Sequence, residues 1–91
     1  MVKIKFLGNF REITGEKEKE FEYSGNLAEF LEILTSSYHP KFKETLFDKE
    51  GNIKDYMKIL VNGEDLKSES FESYSLKSND EVVIFQTIAG G

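Results

Sequence analysis

The sequence predicts an α+β roll, in which one helix lies across a mixed sheet of four or five strands. Three observations carry this reading. Apolar and polar residues alternate with a period of two near both ends of the chain. A single capped apolar stripe at helical spacing lies between them. Turn pairs rich in Asn, Asp and Gly separate the segments.

Val2, Ile4 and Phe6 alternate with Lys3 and Lys5, as in a half-buried strand. The chain then runs from Gly8 to Gly15, where Phe10 and Ile13 suggest one helical turn closed by Gly15. Lys19, Phe21 and Tyr23 alternate with Glu18, Glu20 and Glu22, so Lys17 to Tyr23 should return antiparallel to the first strand. Asn26 is a good N-cap for the main helix, with Glu29 at the capping-box position. Leu27, Phe30, Leu31, Leu34 and Tyr38 follow on one face, and Pro40 should end the helix near Tyr38. Phe42, Leu46 and Phe47 fit a short second helix. Met57 to Val61 reads as a strand, Asn62-Gly63 as a hairpin turn, and Glu64-Asp65-Leu66 as a brief partner strand. Lys67 to Ser75 reads as loop, and Ser78-Asn79-Asp80 as a turn into a last strand, Glu81 to Phe85. The expected core is Ile4, Phe6, Leu31, Leu34, Ile59, Val61, Val82 and Ile84.

Ninety-one residues suit one domain, residues 1–91, with a flexible C-terminal tail from about residue 86. Seventeen acidic against twelve basic side chains leave a net charge of −5, and the basic footprint of a nucleic-acid-binding protein is missing. No apolar run is long enough to span a bilayer. Met1-Val2-Lys3-Ile4-Lys5 does not continue into a signal-peptide core, so the start is expected to be native. With no cysteine, the chain has neither disulfide nor thiol, and the expected compartment is the cytoplasm. The single histidine, His39, has no cluster of metal-ligating residues near it in the sequence and reads as a surface residue, so no metal site is expected. The isolated glycines form no phosphate loop, and the alternating glutamates look like a solvated strand face. Catalysis by this chain alone is not expected.

Two strands break the alternation that a one-sided sheet requires. Ile59-Leu60-Val61 and Val82-Val83-Ile84-Phe85 are apolar on both sides, which places Leu7, Leu60, Val83 and Phe85 on the face away from the helix. Either loops cover these residues, or they form an apolar patch that docks a partner.

The sequence closes Gln86-Thr87-Ile88-Ala89-Gly90-Gly91. At an average glycine frequency of about 7%, a terminal Gly-Gly arises by chance in roughly one chain in two hundred. Two residues without side chains can thread a channel too narrow for any Cβ. They also present an unhindered α-carboxylate, ionised at neutral pH. Such a carboxylate is a poor acyl donor until it attacks the α-phosphorus of ATP. The resulting acyl-adenylate can pass to sulfur as a thiocarboxylate, or to a thiol and then to lysine amines.

In the order Lys3-Ile4-Lys5-Phe6, Phe10-Arg11-Glu12-Ile13-Thr14-Gly15, Tyr38-His39-Pro40, Val61-Asn62-Gly63-Glu64-Asp65, Leu76, Asn79-Asp80-Glu81-Val82 and Ala89-Gly90-Gly91, the sequence resembles the family of the molybdopterin synthase small subunit, the ubiquitin-like sulfur carriers and the small archaeal modifiers. The resemblance implies a β-grasp fold. It implies that Gly91 is the activated residue, that Gly90 is needed for threading, and that Leu7, Leu60, Val83, Phe85 and Ile88 meet partners. Those partners would be a ubiquitin-activating-type adenylating enzyme, and then the large subunit of molybdopterin synthase or target-protein lysines. ATP would be used by the activating enzyme, with no cofactor bound here. Molybdenum-cofactor biosynthesis is the first destination implied and lysine conjugation the second, while a noncovalent β-grasp binding module is a third reading. The sequence departs from the family at Gln86-Thr87, where many relatives carry prolines, a change expected to loosen the tail. It departs again at Ser78-Asn79-Asp80, which replaces a commoner Gly-Asp turn.

Overall fold

A computed structural model of the chain describes residues 1–87. The elements run β1 (Val2–Phe6), α1 (Asn9–Thr14), β2 (Glu18–Phe21), β3 (Gly25–Asn26), α2 (Leu27–Ser36), α3 (Pro40–Leu46), β4 (Met57–Val61), β5 (Glu64–Leu66), a 3-10 turn (Ser68–Ser70), β6 (Ser75–Leu76) and β7 (Glu81–Gln86). Five strands form one mixed sheet in the order β2-β1-β7-β4-β5, and β3 pairs with β6 in a small second sheet. Only the β1–β7 pair of the main sheet is parallel, with Ile4 opposite Val82 and Phe6 opposite Ile84.

The alternation in the sequence becomes alternation in burial. Val2, Ile4, Phe6, Ile59, Val61, Val82 and Ile84 are buried on the inner face, and every residue of the expected core is buried. α2 lies over this face through Leu27, Phe30, Leu31 and Leu34, and Asn26 caps it, its Oδ1 accepting the Glu29 N–H at 2.8 Å. Asn62 and Gly63 both take positive φ, 51° and 86°, as the two-residue turn between β4 and β5 requires.

Several elements differ from their sequence reading. β2 is shorter than expected and ends at Phe21. The stretch from Lys67 to Ser75, which reads as loop, holds the 3-10 turn, the buried Phe71 and the first residue of β6, Ser75. His39 caps α3, its Nδ1 accepting the Lys41 N–H at 3.1 Å, with Pro40 in the first turn where its missing N–H costs nothing. Gln86, expected to open the tail, is the last residue of β7.

Tyr38 joins the helices to the sheet. Its ring stacks on Phe42 and meets Phe6 edge-on, at centroid distances of 5.6 Å in both cases. Its hydroxyl donates to Glu16 Oε2 at 2.7 Å. Burial, and then the Glu16 carboxylate it bonds, push the phenol well above its ordinary value of 10.0. Below about pH 10 the phenol is neutral in the folded and unfolded chain alike. Above it the unfolded chain gives up the proton while the folded one keeps it, so stability falls as pH rises. Tyr38→Phe should therefore cost about 1–2 kcal/mol at neutral pH and flatten the loss of stability on the alkaline side. Urea denaturation across the pH range measures both, and parallel profiles for the two proteins would refute the second effect.

Candidate functional site

The face of the sheet away from α2 is built by the odd members of β1 and β7 and the even members of β4. Leu60 stands opposite Val83, which is in turn opposite Lys5 on the other side, and Lys58 stands opposite Phe85. Three of the residues expected to meet partners, Leu60, Val83 and Phe85, thus share one face, and Leu7 follows directly after the last paired residue of β1, Phe6. Ile88, Gly90 and Gly91 lie outside the described residues.

The patch is less bare than its sequence suggested. Leu7 is 42% exposed, whereas Leu60, Val83 and Phe85 are half-buried, although full exposure of Leu60 and Phe85 is what an open patch would give. The cross-strand neighbours are lysines. Lys5 and Lys58 stand opposite Val83 and Phe85, positions from which a lysine's aliphatic stem can lie along an apolar strip while its ammonium group stays in water. Each head is held to a neighbour, Lys5 to Glu81 at 3.5 Å and Lys58 to Asp65 at 3.6 Å, with Lys3 and Glu18 at 3.6 Å further out. These exposed pairs contribute little stability. They form a polar rim that a partner can displace from an apolar centre.

β7 ends at one edge of this face. The Thr87 N–H and the Thr87 hydroxyl both donate to the Tyr56 carbonyl, at 2.8 and 3.1 Å. On the opposite side Asn9 Nδ2 approaches Gln86 Oε1 at 3.4 Å. The Tyr56 side chain is 40% exposed, so this end of β7 is flanked by two of the large apolar side chains that the fold leaves open, Leu7 and Tyr56. Tyr56 was absent from the sequence reading. An isolated Tyr in a polar connection gives no periodic signal, and its place beside Thr87 comes from pairing across 31 positions of sequence.

Among the described residues no cluster of His, Cys, Asp or Glu could hold a metal ion, and no helix is long and apolar enough to cross a membrane. A cleft of 360 Å³ runs between α2, α3 and the 3-10 turn, past Leu31, Phe47, Ile53 and Phe71. A surface with an apolar centre, a charged rim and no acid–base constellation is suited to docking a macromolecule.

The ThiS family profile matches residues 4–91. The chain belongs to the ThiS family. The structure is similar to the solution structure of small archaeal modifier protein 1 from Methanosarcina acetivorans, with a TM-score of 0.81 and 30% identity over 99% of this chain and 95% of that one. It is also similar to a Pyrococcus furiosus protein assigned as molybdopterin converting factor subunit 1, with a TM-score of 0.70 and 27% identity over 96% and 97% of the two chains. A chain of the Amycolatopsis orientalis BexX/CysO complex shares the fold, with a TM-score of 0.78 at 23% identity over 100% of both chains. No curated protein matches the sequence. The fold of this ThiS-family member is the ubiquitin-like β-grasp, and its relatives are small carrier and modifier proteins rather than enzymes.

The half-burial of Phe85 sets an expectation for the isolated ThiS-family domain. Phe85→Ala should destabilise it by about 1 kcal/mol, against about 3–5 kcal/mol for Phe6→Ala in the closed core. Chemical denaturation of both variants tests the contrast, and equal losses would place Phe85 in the core.

Proposed function

We propose that this protein is a sulfur carrier whose Gly91 carboxylate is adenylated by a partner enzyme and converted to a thiocarboxylate for molybdopterin biosynthesis. One observation carries the reading. A family of small carriers and modifiers is matched through to Gly91, and the strand that precedes Gly90-Gly91 ends at the edge of the Leu60, Val83 and Phe85 face. A partner docked on that face has the root of the tail within reach. Similarity to the Pyrococcus furiosus converting-factor protein supports the molybdopterin destination.

The proposed chemistry asks little of this chain. A Gly91 carboxylate oxygen attacks the α-phosphorus of ATP held by the activating enzyme, forming the acyl-adenylate and releasing pyrophosphate. The outer sulfur of a persulfide donor then displaces AMP at the carbonyl carbon to give an acyl disulfide. A second thiol of the sulfur-donating enzyme cleaves the S–S bond, freeing the thiocarboxylate and leaving a disulfide on the donor. Gly90 and Gly91 allow the tail to pass where a Cβ would not. Leu7, Leu60, Val83, Phe85 and Ile88 form the docking surface, within which Phe85 is the aromatic anchor. The BexX/CysO complex supports docking in this fold through its precedent of a carrier-fold chain in a protein complex. A second destination, conjugation of Gly91 to target lysines, is favoured by the 30% identity to an archaeal modifier. Both begin with the same adenylation.

Deleting Gly91 shortens the reach by about 3.5 Å, and Gly90→Val places a branched side chain in the channel. Both variants should melt like the wild type and abolish ATP-dependent pyrophosphate release with the cognate activating enzyme. Phe85→Ala should weaken binding to that enzyme by about 1–3 kcal/mol. Wild-type release from the Gly91 deletion would make the tail incidental and the protein a noncovalent binding module. After addition of a sulfur donor, intact mass separates the two destinations: one oxygen replaced by sulfur marks the carrier, and adducts on lysines mark the modifier.

A further inference from the structure

Thr87 is the last described residue, and both of its hydrogen-bond donors converge on one acceptor, the Tyr56 carbonyl. The backbone bond alone would extend the β4–β7 ladder by one step past the Met57–Gln86 pair. The hydroxyl adds a second restraint at 3.1 Å, and a β-branched side chain narrows the choice of χ1 in addition. Four residues follow Thr87 in the sequence, so a fully extended tail reaches at most about 14 Å beyond it. With so short a reach, the point and direction of departure decide where Gly91 arrives.

We propose that Thr87 is a positioning residue: its two hydrogen bonds to the Tyr56 carbonyl fix the root of the tail relative to the docking face, so that a carrier seated through Leu60, Val83 and Phe85 presents its carboxylate to ATP without a further search. This rests on the adenylation reading above. The covalent step is unchanged: the Gly91 oxygen bonds to the α-phosphorus, the bond from that phosphorus to the β-phosphate oxygen breaks, and pyrophosphate leaves. Thr87 touches none of these atoms. It acts through the orientation of the chain that follows.

The test is the steady-state kinetics of pyrophosphate release, with the carrier as varied substrate of its cognate activating enzyme. Thr87→Val keeps the shape and the backbone N–H but loses the hydroxyl donor, whereas Thr87→Ser keeps the donor. Releasing about one residue's worth of backbone order should lower kcat roughly fivefold, which is about 1 kcal/mol at 1.36 kcal/mol per tenfold change in rate. Thr87→Val should show that loss with KM unchanged, since the docking face is intact, and Thr87→Ser should restore the wild-type kcat. A loss confined to KM, equal kcat values for all three proteins, or an equal loss in both variants overturns the proposal while leaving the adenylation reading standing. A wild-type protein that supports no pyrophosphate release overturns both.

Discussion

The parallel pairing of β1 with β7 closes the fold, and the rest of the structure depends on it. The strands come from opposite ends of the chain, yet they lie side by side near the centre of the sheet, with Lys3, Ile4, Lys5 and Phe6 opposite Glu81, Val82, Val83 and Ile84. Without β7 there is no connection between the β2–β1 hairpin and the β4–β5 hairpin, and the inner face that α2 covers is split in two. Because this contact is non-local, forming it carries a large loop-closure entropy. The strand that completes the core is therefore also the one that leads into the tail. The segment that leads to residues 88–91 thus leaves from the central strand of the sheet.

The parts of the fold legible in the sequence are those with a repeating signal. β1, β4 and β7 declare themselves through alternation, α2 through Asn26 and its apolar stripe, and the β4–β5 turn through Asn62-Gly63. What escaped reading is made by backbone pairing between short, distant segments. β3 and β6 are two residues each and have no period to detect, yet Gly25 pairs with Leu76 and Asn26 with Ser75 beside the start of α2. Gly25 has a φ of 144°, and a Cβ there would lie 2.7 Å from the Tyr23 hydroxyl, so the residue is set by a contact that the linear sequence does not display. His39 reads from the sequence only as a surface residue, and its capping of α3, in which its Nδ1 accepts the Lys41 N–H, depends on the backbone angle with which it enters the helix.

The candidate site was legible in a different way. The doubly apolar character of β4 and β7 identified Leu60, Val83 and Phe85 as surplus to the core, and the registers bring them together. Their degree of exposure was not legible, because it depends on which side chains stand opposite. Lysines at positions 5 and 58 stand opposite Val83 and Phe85, and hydropathy alone scores their long aliphatic stems as polar surface. At Gln86-Thr87, where the sequence departs from the family's prolines, the described chain is paired as far as Thr87, and the tail beyond it lies outside the described residues. The absence of proline leaves an N–H free to extend the ladder, and Thr87 uses it.

One strand of six residues carries three separate requirements, and register holds them in phase. Along β7 the buried Val82 and Ile84 alternate with the half-buried Val83 and Phe85, and Gln86 leads on to Thr87. A slip of one residue would exchange the core set for the docking set and move the root of the tail by about 3.3 Å. That shift is as large as the addition or loss of one tail residue. The register is fixed at the opposite end of the strand. Asn62, held at positive φ in the β4–β5 turn, accepts the Glu81 N–H at 2.9 Å and donates to Asp80 Oδ1 at 2.9 Å. Asp80 Oδ2 in turn accepts the Lys77 N–H at 2.8 Å, closing the turn that feeds β7. Core burial penalises any slip strongly, and the Asn62–Asp80 contact removes the residual freedom at the strand's entry. The position of Thr87, the last described residue, is thus set partly by a polar contact at the far end of the sheet.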